Sequence, residues 1–363
     1  MFTVAIIVVF FAVIQLIVAL SNLLFKPNLH KRVVTPDFLV SVLIPARNEE
    51  NNIRFILNDL ISQDYQNIEI IVFDDQSTDH TARIVQEFAL TDTRIKLIQS
   101  VNLPPGWLGK NFACDSLSKL AKGDYLLFLD ADVRVGTEII RLAISYSEKN
   151  NLGLLSIFPD QLMGSAGEKM TVPIMNYILL TLLPLPLVLK SGFSSLAAAN
   201  GQFMLFNSKI YKRFWLHNVH RKNKVEDIAI ARFLKEKQIP IACITGEKSI
   251  QCRMYSNFNE AVSGFSKNLT AFFGNSFFLA IMFWVITTFG FIPVCLGLSL
   301  KIFVSYLFVL VITRSIVSVT SNQPIRINLI FLIPQQLVIG LIIFRAFTSK
   351  YFNHYQWKGR DIV

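Results

Sequence analysis

The residues best suited to chemistry are two aspartates, Asp130 and Asp132, which directly follow the apolar run Tyr125–Leu129. Such a run predicts a buried strand of the parallel type, and open α/β sheets bind ligands just beyond the carboxyl ends of these strands. Two carboxylates at that point favour a divalent cation with a bound phosphate, because Mg²⁺ is typically held by one or two carboxylates plus substrate phosphates. A solvated turn carrying two acids is the alternative, and a D-x-D pattern alone does not separate the two.

The surrounding sequence alternates between strand and helix signals across residues 35–270. Strands alternating with helices predict βαβ units, and therefore an α/β fold with a mostly parallel sheet. The predicted strands cover 38–45, 68–73, 94–99 and 125–129, and the predicted helices cover 48–63, 78–90 and 112–121.

Acidic residues end three of these four strands. The first strand runs into Pro45-Ala-Arg-Asn-Glu-Glu50, the second into Asp74-Asp-Gln-Ser-Thr-Asp79, and the fourth into Asp130 and Asp132. Carboxyl ends of parallel strands lie at one edge of a sheet, so we expect a nucleotide there. No G-x-G-x-x-G follows the first strand, which counts against a dinucleotide fold, and the absence of G-x-x-x-x-G-K-[ST] excludes a P-loop.

The chain is too apolar for an ordinary soluble protein of 363 residues: it is 52% hydrophobic, with a mean hydropathy of +0.46. Residues 2–20 are almost uninterrupted apolar sequence, without the preceding positive charge or the cleavage site of a signal peptide. We therefore predict a transmembrane anchor at 1–25. Lys26, His30, Lys31 and Arg32 follow it and predict a cytoplasmic location for the next domain.

A second apolar region, 272–347, contains three runs that approach spanning length, at 272–300, 302–319 and 327–347. Three crossings would leave the tail outside, yet the basic tail 348–363, with Lys350, Lys358 and Arg360, favours the cytoplasm. One run is therefore expected to lie in the interface or to re-enter. Arg314 favours the second run for that role.

The net charge indicates which partners the chain can bind, and the cysteine spacing indicates the state of its thiols. The net charge of +10, from 35 Lys and Arg against 25 Asp and Glu, suits cytoplasmic loops facing anionic headgroups of a lipid bilayer. Nucleic-acid binding would call for a basic face interleaved with aromatic residues, and the sequence has no such motif. No nucleic-acid partner is therefore expected. The four cysteines are scattered and predict reduced thiols, with neither a disulfide framework nor a zinc site.

The apolar segment 172–189 has two interpretations. Pro173, Pro184 and Pro186 make a spanning helix improbable, and an odd crossing would place the following domain on the wrong side. The segment either lies in the membrane interface, lining an entrance from the bilayer, or is a buried element of the α/β domain.

Five ordered motifs within 38–270 resemble family 2 glycosyltransferases of the GT-A fold. They are VSVLIPARNEE at 40–50, IIVFDDQSTD at 70–79, LFLDAD at 127–132, ANGQFMLF at 199–206 and VED at 225–227. The flanking membrane segments, PPGWLGK at 104–110, RMY at 253–255 and the tail QWKGRD at 356–361 resemble the membrane-bound branch that glycosylates carotenoid, hopanoid or related lipids.

The resemblance implies a nucleotide-sugar donor and a divalent cation, Mn or Mg. Asp75 would accept from the uracil imide, and Pro45 with Glu49 would line the nucleoside pocket. Asp132 would ligate the metal, while Asp130 would face the ribose or a metal-bound water. The remaining donor-binding residues implied in this way are Lys110, near the uracil or phosphate, and Arg253, facing the diphosphate.

Asp227 would be the catalytic base that deprotonates the acceptor hydroxyl. An inverting transfer needs one carboxylate at the acceptor and charge neutralisation at the diphosphate, which Asp227 and the Asp130/Asp132 pair could divide. The bland alternative is that Glu226 and Asp227 are first-turn acids favourable to a helix dipole. Lys110 could equally be a surface lysine, and the loop containing His217 and His220 a solvated basic loop.

The resulting function is transfer of a single sugar, a UDP-hexose for example, to a membrane lipid with inversion, by a multi-pass inner-membrane enzyme with a cytoplasmic catalytic domain. Processive relatives carry Q-x-x-R-W, whereas this chain has Gln251-Cys-Arg-Met-Tyr255, which favours a single transfer. The alternatives are a transferase acting on a polyprenyl phosphate or a cell-surface polysaccharide and, from a different class, a non-catalytic membrane scaffold.

Overall fold

The computed structural model describes residues 1–27, 29, 37–246, 248–351, 356–357 and 360–361. The strands are β1 (Val40–Ala46), β2 (Ile68–Asp74), β3 (Ile95–Gln99), β4 (Tyr125–Leu129), β5 (Val133–Val135), β6 (Leu154–Phe158), β7 (Asp160–Gln161), β8 (Phe203–Asn207), β9 (Ile241–Thr245), β10 (Ile250–Cys252), β11 (Gln356–Trp357) and β12 (Arg360–Asp361).

Helices surround these strands and extend beyond them at both chain ends. They are α1 (Phe2–Leu24), α2 (Ile53–Ile61), α3 (Thr81–Thr91), α4 (Gly109–Leu120), α5 (Ile139–Lys149), α6 (Ala166–Thr171), α7 (Pro173–Leu182), α8 (Pro186–Lys190), α9 (Ser208–Phe214), α10 (Leu216–Val219), α11 (Glu226–Glu236), α12 (Phe258–Asn268), α13 (Phe277–Phe289), α14 (Phe291–Gly297), α15 (Leu300–Thr320), α16 (Ile325–Ile330) and α17 (Leu332–Tyr351). Short 3₁₀ turns lie at Ser194–Leu196 and Leu269–Phe273.

A seven-stranded sheet in the order β3-β2-β1-β4-β8-β6-β9 forms the centre of the α/β domain. All neighbouring strands run parallel except β8, which is antiparallel to both β4 and β6. The predicted mostly parallel α/β fold is therefore confirmed. Because β1, β2 and β4 are parallel neighbours, their carboxyl ends lie side by side, and the three acidic segments meet at one edge.

A second, three-stranded sheet in the order β5-β10-β7 lies directly after the acidic turn of β4. β10 pairs antiparallel with β5, so that Cys252 lies opposite Val133, one residue beyond Asp132. This pairing brings a segment more than a hundred residues distant against the aspartates.

Helix α3 begins later than the sequence indicated. It starts at Thr81 rather than Thr78. Asp79 stabilises this start, because its Oδ1 accepts from the backbone N–H of Thr81 at 2.9 Å.

The apolar helices include three that are long and apolar enough to cross a membrane: Phe2–Leu24, Leu300–Thr320 and Leu332–Ser349. The run at 272–300 does not form one of them, because it divides into α13 and α14, separated at Gly290. The second C-terminal run, expected to lie in the interface or to re-enter, forms the continuous helix α15, which is long and apolar enough to cross a membrane.

Arg314 lies inside the protein, where its partners are on other helices. The guanidinium lies over the ring of Tyr177, 3.6 Å from its centroid, and donates to Gln335 Oε1 at 3.2 Å. The arginine is 4% exposed, so the helix presents its apolar face outwards and encloses the charge among α7 and α17.

Helix α7, within segment 172–189, is mostly buried, and the position of that segment relative to the membrane stays a prediction. Eight of its residues are buried, and it packs against α1, α15 and α17. Polar contacts fix it to the N-terminal anchor: Gln15 Nε2 donates to Thr181 Oγ1 at 3.2 Å. Buried polar groups in such contacts must be paired, which makes the α1–α7 register specific.

Several charges that guided the membrane topology lie outside the described residues. These are His30, Lys31, Arg32 and Lys358, together with the side chains of Lys350 and Arg360. Of the tail motif QWKGRD, the backbone of β11 and β12 forms an antiparallel pair.

We expect Asn22→Ala to weaken the attachment of α1 to the catalytic domain. Asn22 Nδ2 donates to the carbonyls of Leu180 at 3.0 Å and Leu183 at 2.9 Å, and its Oδ1 accepts from Leu185 N–H at 2.7 Å. Leaving buried backbone groups unsatisfied costs about 1–3 kcal/mol.

Thermal unfolding of the detergent-solubilised full chain would measure this effect as a lower Tm. Leu24→Ala is the matched control, because Leu24 is 72% exposed at the end of the same helix. Equal Tm values for the two variants would show that the Asn22 contacts do not hold the anchor.

Candidate active site

The acidic edge contains a cavity of about 110 Å³ at the ends of β1 and β4. Its lining includes five residues singled out from the sequence, which are Pro45, Glu49, Lys110, Asp130 and Asp132. Arg47 and Ala131 complete the lining. The strand order places these side chains together, since β1 and β4 are adjacent.

Asp75 lies at the neighbouring strand end and is 1% exposed. Its backbone N–H donates to the Ala46 carbonyl at 2.8 Å, which ties the end of β2 to the end of β1. Arg47 completes this junction by donating to the carbonyls of Asp75 at 2.5 Å and Gln76 at 3.2 Å. Sequence reasoning did not assign Arg47, although it lies only two residues after Pro45.

Lys110 lies between two acids that come from opposite parts of the chain. Its ammonium is 2.8 Å from Asp130 Oδ1 and 3.4 Å from Glu226 Oε1. Burial works against the charged ammonium, but the carboxylates of Asp130 and Glu226 raise the pKa of Lys110 well above its usual value. Lys110 is therefore a fixed positive charge within the site and not a surface lysine.

Asp227 occupies the first turn of α11, beside Glu226. Its Oδ2 accepts from the backbone N–H of Gly201 at 2.9 Å, and its Oδ1 accepts from that of Ile228 at 2.7 Å. Burial raises the pKa of Asp227, and the charge of Glu226 raises it further, to about 7. A carboxylate with this pKa can exchange a proton near neutral pH, which a simple first-turn acid has no need to do.

Gly201 packs closely against Lys110 and the two acids of α11. A Cβ at this position would lie 3.1 Å from Lys110 Nζ and 3.5 Å from carboxylate oxygens of both Asp227 and Glu226. The absence of a side chain lets the backbone N–H of Gly201 approach Asp227.

Asp132 lies on the turn between β4 and β5 and contacts residues that sequence reasoning missed. The Cys252 thiol hydrogen-bonds its carboxylate, and Gln202 Nε2 donates to Cys252 Sγ at 2.8 Å. Burial, and then the charges of Asp132 and Asp130, raise the pKa of Cys252 well above its usual value, so the thiol stays protonated. Nothing in the sequence around Cys252 indicated this contact, because it depends on the pairing of β10 with β5.

The donor atoms at the edge fit a hard divalent cation only in part. Within the described part of the chain, no three His, Cys, Asp or Glu side chains come together to hold a metal. Asp130 and Asp132 nevertheless line one cavity with carboxylate oxygens, the ligands that Mg²⁺ and Mn²⁺ prefer. The pair therefore fits a cation whose other ligands come from a diphosphate and water.

Arg253 does not line this cavity. It forms a two-point ion pair with Glu168, at 2.8 Å to Oε1 and 3.2 Å to Oε2. Burial would raise the pKa of Glu168, but hydrogen bonds from Arg253 and Ser165 lower it to about 2. The guanidinium remains 52% exposed, and its role toward a diphosphate stays a prediction.

The two histidines of the basic loop differ from expectation. His217 is 2% exposed and contacts the hydroxyl of Tyr211 at 2.7 Å. Burial lowers its pKa to about 3, so His217 is a neutral core residue and the prediction of a solvated position is wrong. Burial also lowers the pKa of His220.

Residues 41–215 match the sequence profile of glycosyl transferase family 2. The chain is 28% identical over 349 residues to the 4,4'-diaponeurosporenoate glycosyltransferase of Staphylococcus haemolyticus (strain JCSC1435), covering 89% of this chain and 88% of the relative. It is 26% identical over 300 residues to the enzyme of the same name from Staphylococcus aureus (strain USA300), covering 80% and 77%.

Among solved structures, the chain is similar to a mannosyltransferase, PcManGT, from Pyrobaculum calidifontis in complex with GDP-Man and Mn²⁺. The TM-score is 0.57 at 16% identity, and the match covers 96% of this chain and 99% of that one. At this identity the likeness establishes the shared GT-A fold.

The raised pKa of Asp227 predicts a pH-dependent stability difference between the wild type and Asp227→Asn. Because the folded-state pKa of this acid is about 7, above an unfolded value of about 4, the charged carboxylate destabilises the fold increasingly as pH rises through this window. The asparagine variant should therefore gain Tm relative to wild type between about pH 5 and pH 7 and keep that gain above it.

Thermal unfolding of both proteins across this pH range measures the difference. Glu236→Gln, at the exposed end of the same helix, should show no such pH-dependent gain. A Tm difference between wild type and Asp227→Asn that does not change with pH would contradict the assigned pKa.

Proposed function

We propose that this chain, a glycosyltransferase carrying a glycosyl transferase family 2 domain, transfers one sugar from a UDP-hexose to a membrane lipid with inversion at the anomeric carbon. The observation that carries the proposal is the Lys110 contact, which joins Asp130 at the donor side to Glu226, the neighbour of Asp227. It brings the acidic edge of the sheet and a carboxylate of pKa about 7 into one site.

The donor would lie across the carboxyl ends of β2, β1 and β4. Asp75, Pro45 and Glu49 would hold the nucleoside, and Asp130 and Asp132 would hold the cation. Mn²⁺ or Mg²⁺ supplies positive charge that stabilises the departing diphosphate. Lys110, with its raised pKa, adds a second positive charge from the protein itself.

Asp227 would act on the acceptor. Its carboxylate takes the proton of the acceptor hydroxyl, the oxygen forms a bond to the anomeric carbon, and the bond from that carbon to the diphosphate breaks. Gly201 and Ile228 orient this carboxylate through their backbone N–H groups. Attack from the face opposite the diphosphate produces inversion.

Two neighbouring cavities support an amphiphilic acceptor. One, of about 100 Å³, is lined by apolar residues of α7, including Ile178 and Leu182. The other, of about 300 Å³, includes Lys224, Arg232 and Lys267. Ile228, the residue after Asp227, lines both, so an apolar chain in the first cavity would present its polar end near the base.

The staphylococcal relatives are named for 4,4'-diaponeurosporenoate, and we extend a carotenoid-type acceptor to this chain. A polyprenyl phosphate is the second candidate, which the three basic residues of the larger cavity favour. The neighbouring basic residues Arg221 and Lys222 are exposed and do not line that cavity.

We place the enzyme in the inner membrane with its catalytic domain in the cytoplasm. Helix α17 packs against α6, α7 and α12 of the catalytic domain, and Gln335 near its start donates to the Lys169 carbonyl at 2.9 Å. Near its other end, Phe347 contacts the ring of Phe277. Because α17 follows the catalytic domain along its length, we place it against that domain or as a re-entrant segment. In either position the C-terminal tail stays on the same side of the membrane as the catalytic domain.

Transfer to lipid should depend on Asp227. Membranes containing the full chain would be incubated with radiolabelled UDP-hexoses, and the lipids extracted and identified by mass spectrometry. Asp227→Asn should lower lipid labelling by about 10²- to 10⁴-fold, the usual contribution of general acid–base catalysis.

Glu236→Gln serves as the control and should label lipid like the wild type. Equal labelling by Asp227→Asn and wild type would contradict the assigned mechanism. The mass of the labelled lipid separates a carotenoid-type acceptor from a polyprenyl phosphate.

Donor binding should depend on Asp132 through the cation. Wild type should gain Tm with UDP plus Mn²⁺ and much less with UDP plus a chelator, whereas Asp132→Asn should lose the metal-dependent part. Asp37→Asn, at an exposed position, is the control. The same metal-dependent gain in Asp132→Asn and wild type would refute the role of Asp132 as a ligand.

A further inference from the structure

A cavity of about 350 Å³ lies where the N-terminal anchor meets the catalytic domain. Its walls come from the residues following α1 and from α5, α8 and β9, and it shares no lining residue with the donor cavity or the two acceptor cavities. Neither the transfer reaction nor the acceptor route uses this cavity. We refer to it as the lysine cavity.

Three lysines from separate elements converge on the lysine cavity: Lys26 after α1, Lys149 at the end of α5 and Lys190 at the end of α8. Its described lining includes no Asp or Glu, and none of the three ammonium groups forms an ion pair within the described part of the chain. Helix C-termini favour Lys149 and Lys190 individually. That preference does not explain why they face one cavity with Lys26.

The remaining lining is apolar on one side. Leu185, Pro186 and Leu189 of the α8 segment and Phe25 after α1 contribute to it, and Phe25 is 62% exposed. A site with an apolar wall and a group of cations suits a ligand with an anionic head and a hydrocarbon portion, because each part meets its own kind of surface.

The position of Lys26 places this cavity at the level of the membrane surface. Lys26 Nζ donates to the Thr320 carbonyl at 3.4 Å, and Thr320 is the last residue of α15. The candidate spans α1 and α15 therefore end at the same level. Cations just beyond the apolar part of a span lie where phospholipid headgroups are found.

We infer that the lysine cavity binds the phosphate headgroup of an anionic phospholipid, with Lys26, Lys149 and Lys190 around the phosphate and the α8 segment along the start of the acyl chains. Because α8 packs on β9, a lipid bound here joins the bilayer to the central sheet. The site is independent of the sugar acceptor, and its occupant is not consumed.

The test uses the delipidated full chain in neutral detergent, with binding of phosphatidylglycerol and phosphatidylcholine counted by native mass spectrometry. A variant with Lys26→Gln, Lys149→Gln and Lys190→Gln should bind phosphatidylglycerol about tenfold or more weakly. Its weak binding of phosphatidylcholine should equal that of wild type. Replacing the same three lysines by arginine should keep phosphatidylglycerol binding, since the charges remain.

The charge-matched control replaces Lys122, Lys209 and Lys237, which are exposed elsewhere on the catalytic domain, by glutamine. If both triple variants lost phosphatidylglycerol affinity equally, the effect would come from general surface charge. If the first triple variant kept its affinity, the three lysines would be helix-end cations only. Either result overturns the site. Should the first variant not fold, Lys149→Gln alone should weaken phosphatidylglycerol binding by a smaller factor, and no weakening would count against the site.

Competition with inorganic phosphate tests whether the cavity binds a lipid headgroup or a free phosphate ion. Inorganic phosphate should displace phosphatidylglycerol only at concentrations far above that of the lipid, because it lacks the part that meets the apolar wall. Displacement by phosphate at concentrations equal to the lipid would show a site for a soluble anion and would overturn the lipid assignment.

Discussion

The ion pairs of Lys110 are the interaction on which the rest of the site depends. Asp130, Asp132, Glu226 and Asp227 bring four carboxylates close to one edge of the sheet, where their mutual repulsion would destabilise the fold. Lys110, at 2.8 Å from Asp130 and 3.4 Å from Glu226, compensates two of them directly. Since these residues come from α4, β4 and α11, the lysine also fixes how these three elements meet.

This arrangement gives the two chemical ends of the site different electrostatics. Asp130 has a cation in direct contact, whereas Asp227 has backbone N–H groups and the like charge of Glu226 beside it, and its pKa is raised to about 7. A carboxylate in contact with cations suits a metal and diphosphate, and a carboxylate that titrates near neutrality suits proton transfer. In the proposed reaction the same cluster of acids supplies both tasks, because one lysine is placed asymmetrically among them.

The sequence predicted the edge of the site better than its interior. Acids after apolar strands placed Asp75, Asp130 and Asp132 correctly, because parallel neighbours bring their carboxyl ends together. The Cys252–Asp132 contact and the burial of His217 depend on pairings between distant segments, which local patterns do not encode. The surroundings of Arg314 could not be predicted for a similar reason, since its partners Tyr177 and Gln335 lie on other helices.

The most direct measurement is an experimental structure of the full chain with UDP and Mn²⁺ bound. The account predicts uracil beside Asp75, the cation coordinated by Asp132 and the diphosphate, and Lys110 within contact of a phosphate oxygen, with Asp227 left open to the α7 cavity. A nucleotide bound away from the ends of β1, β2 and β4, or a cation held without Asp132, would contradict it.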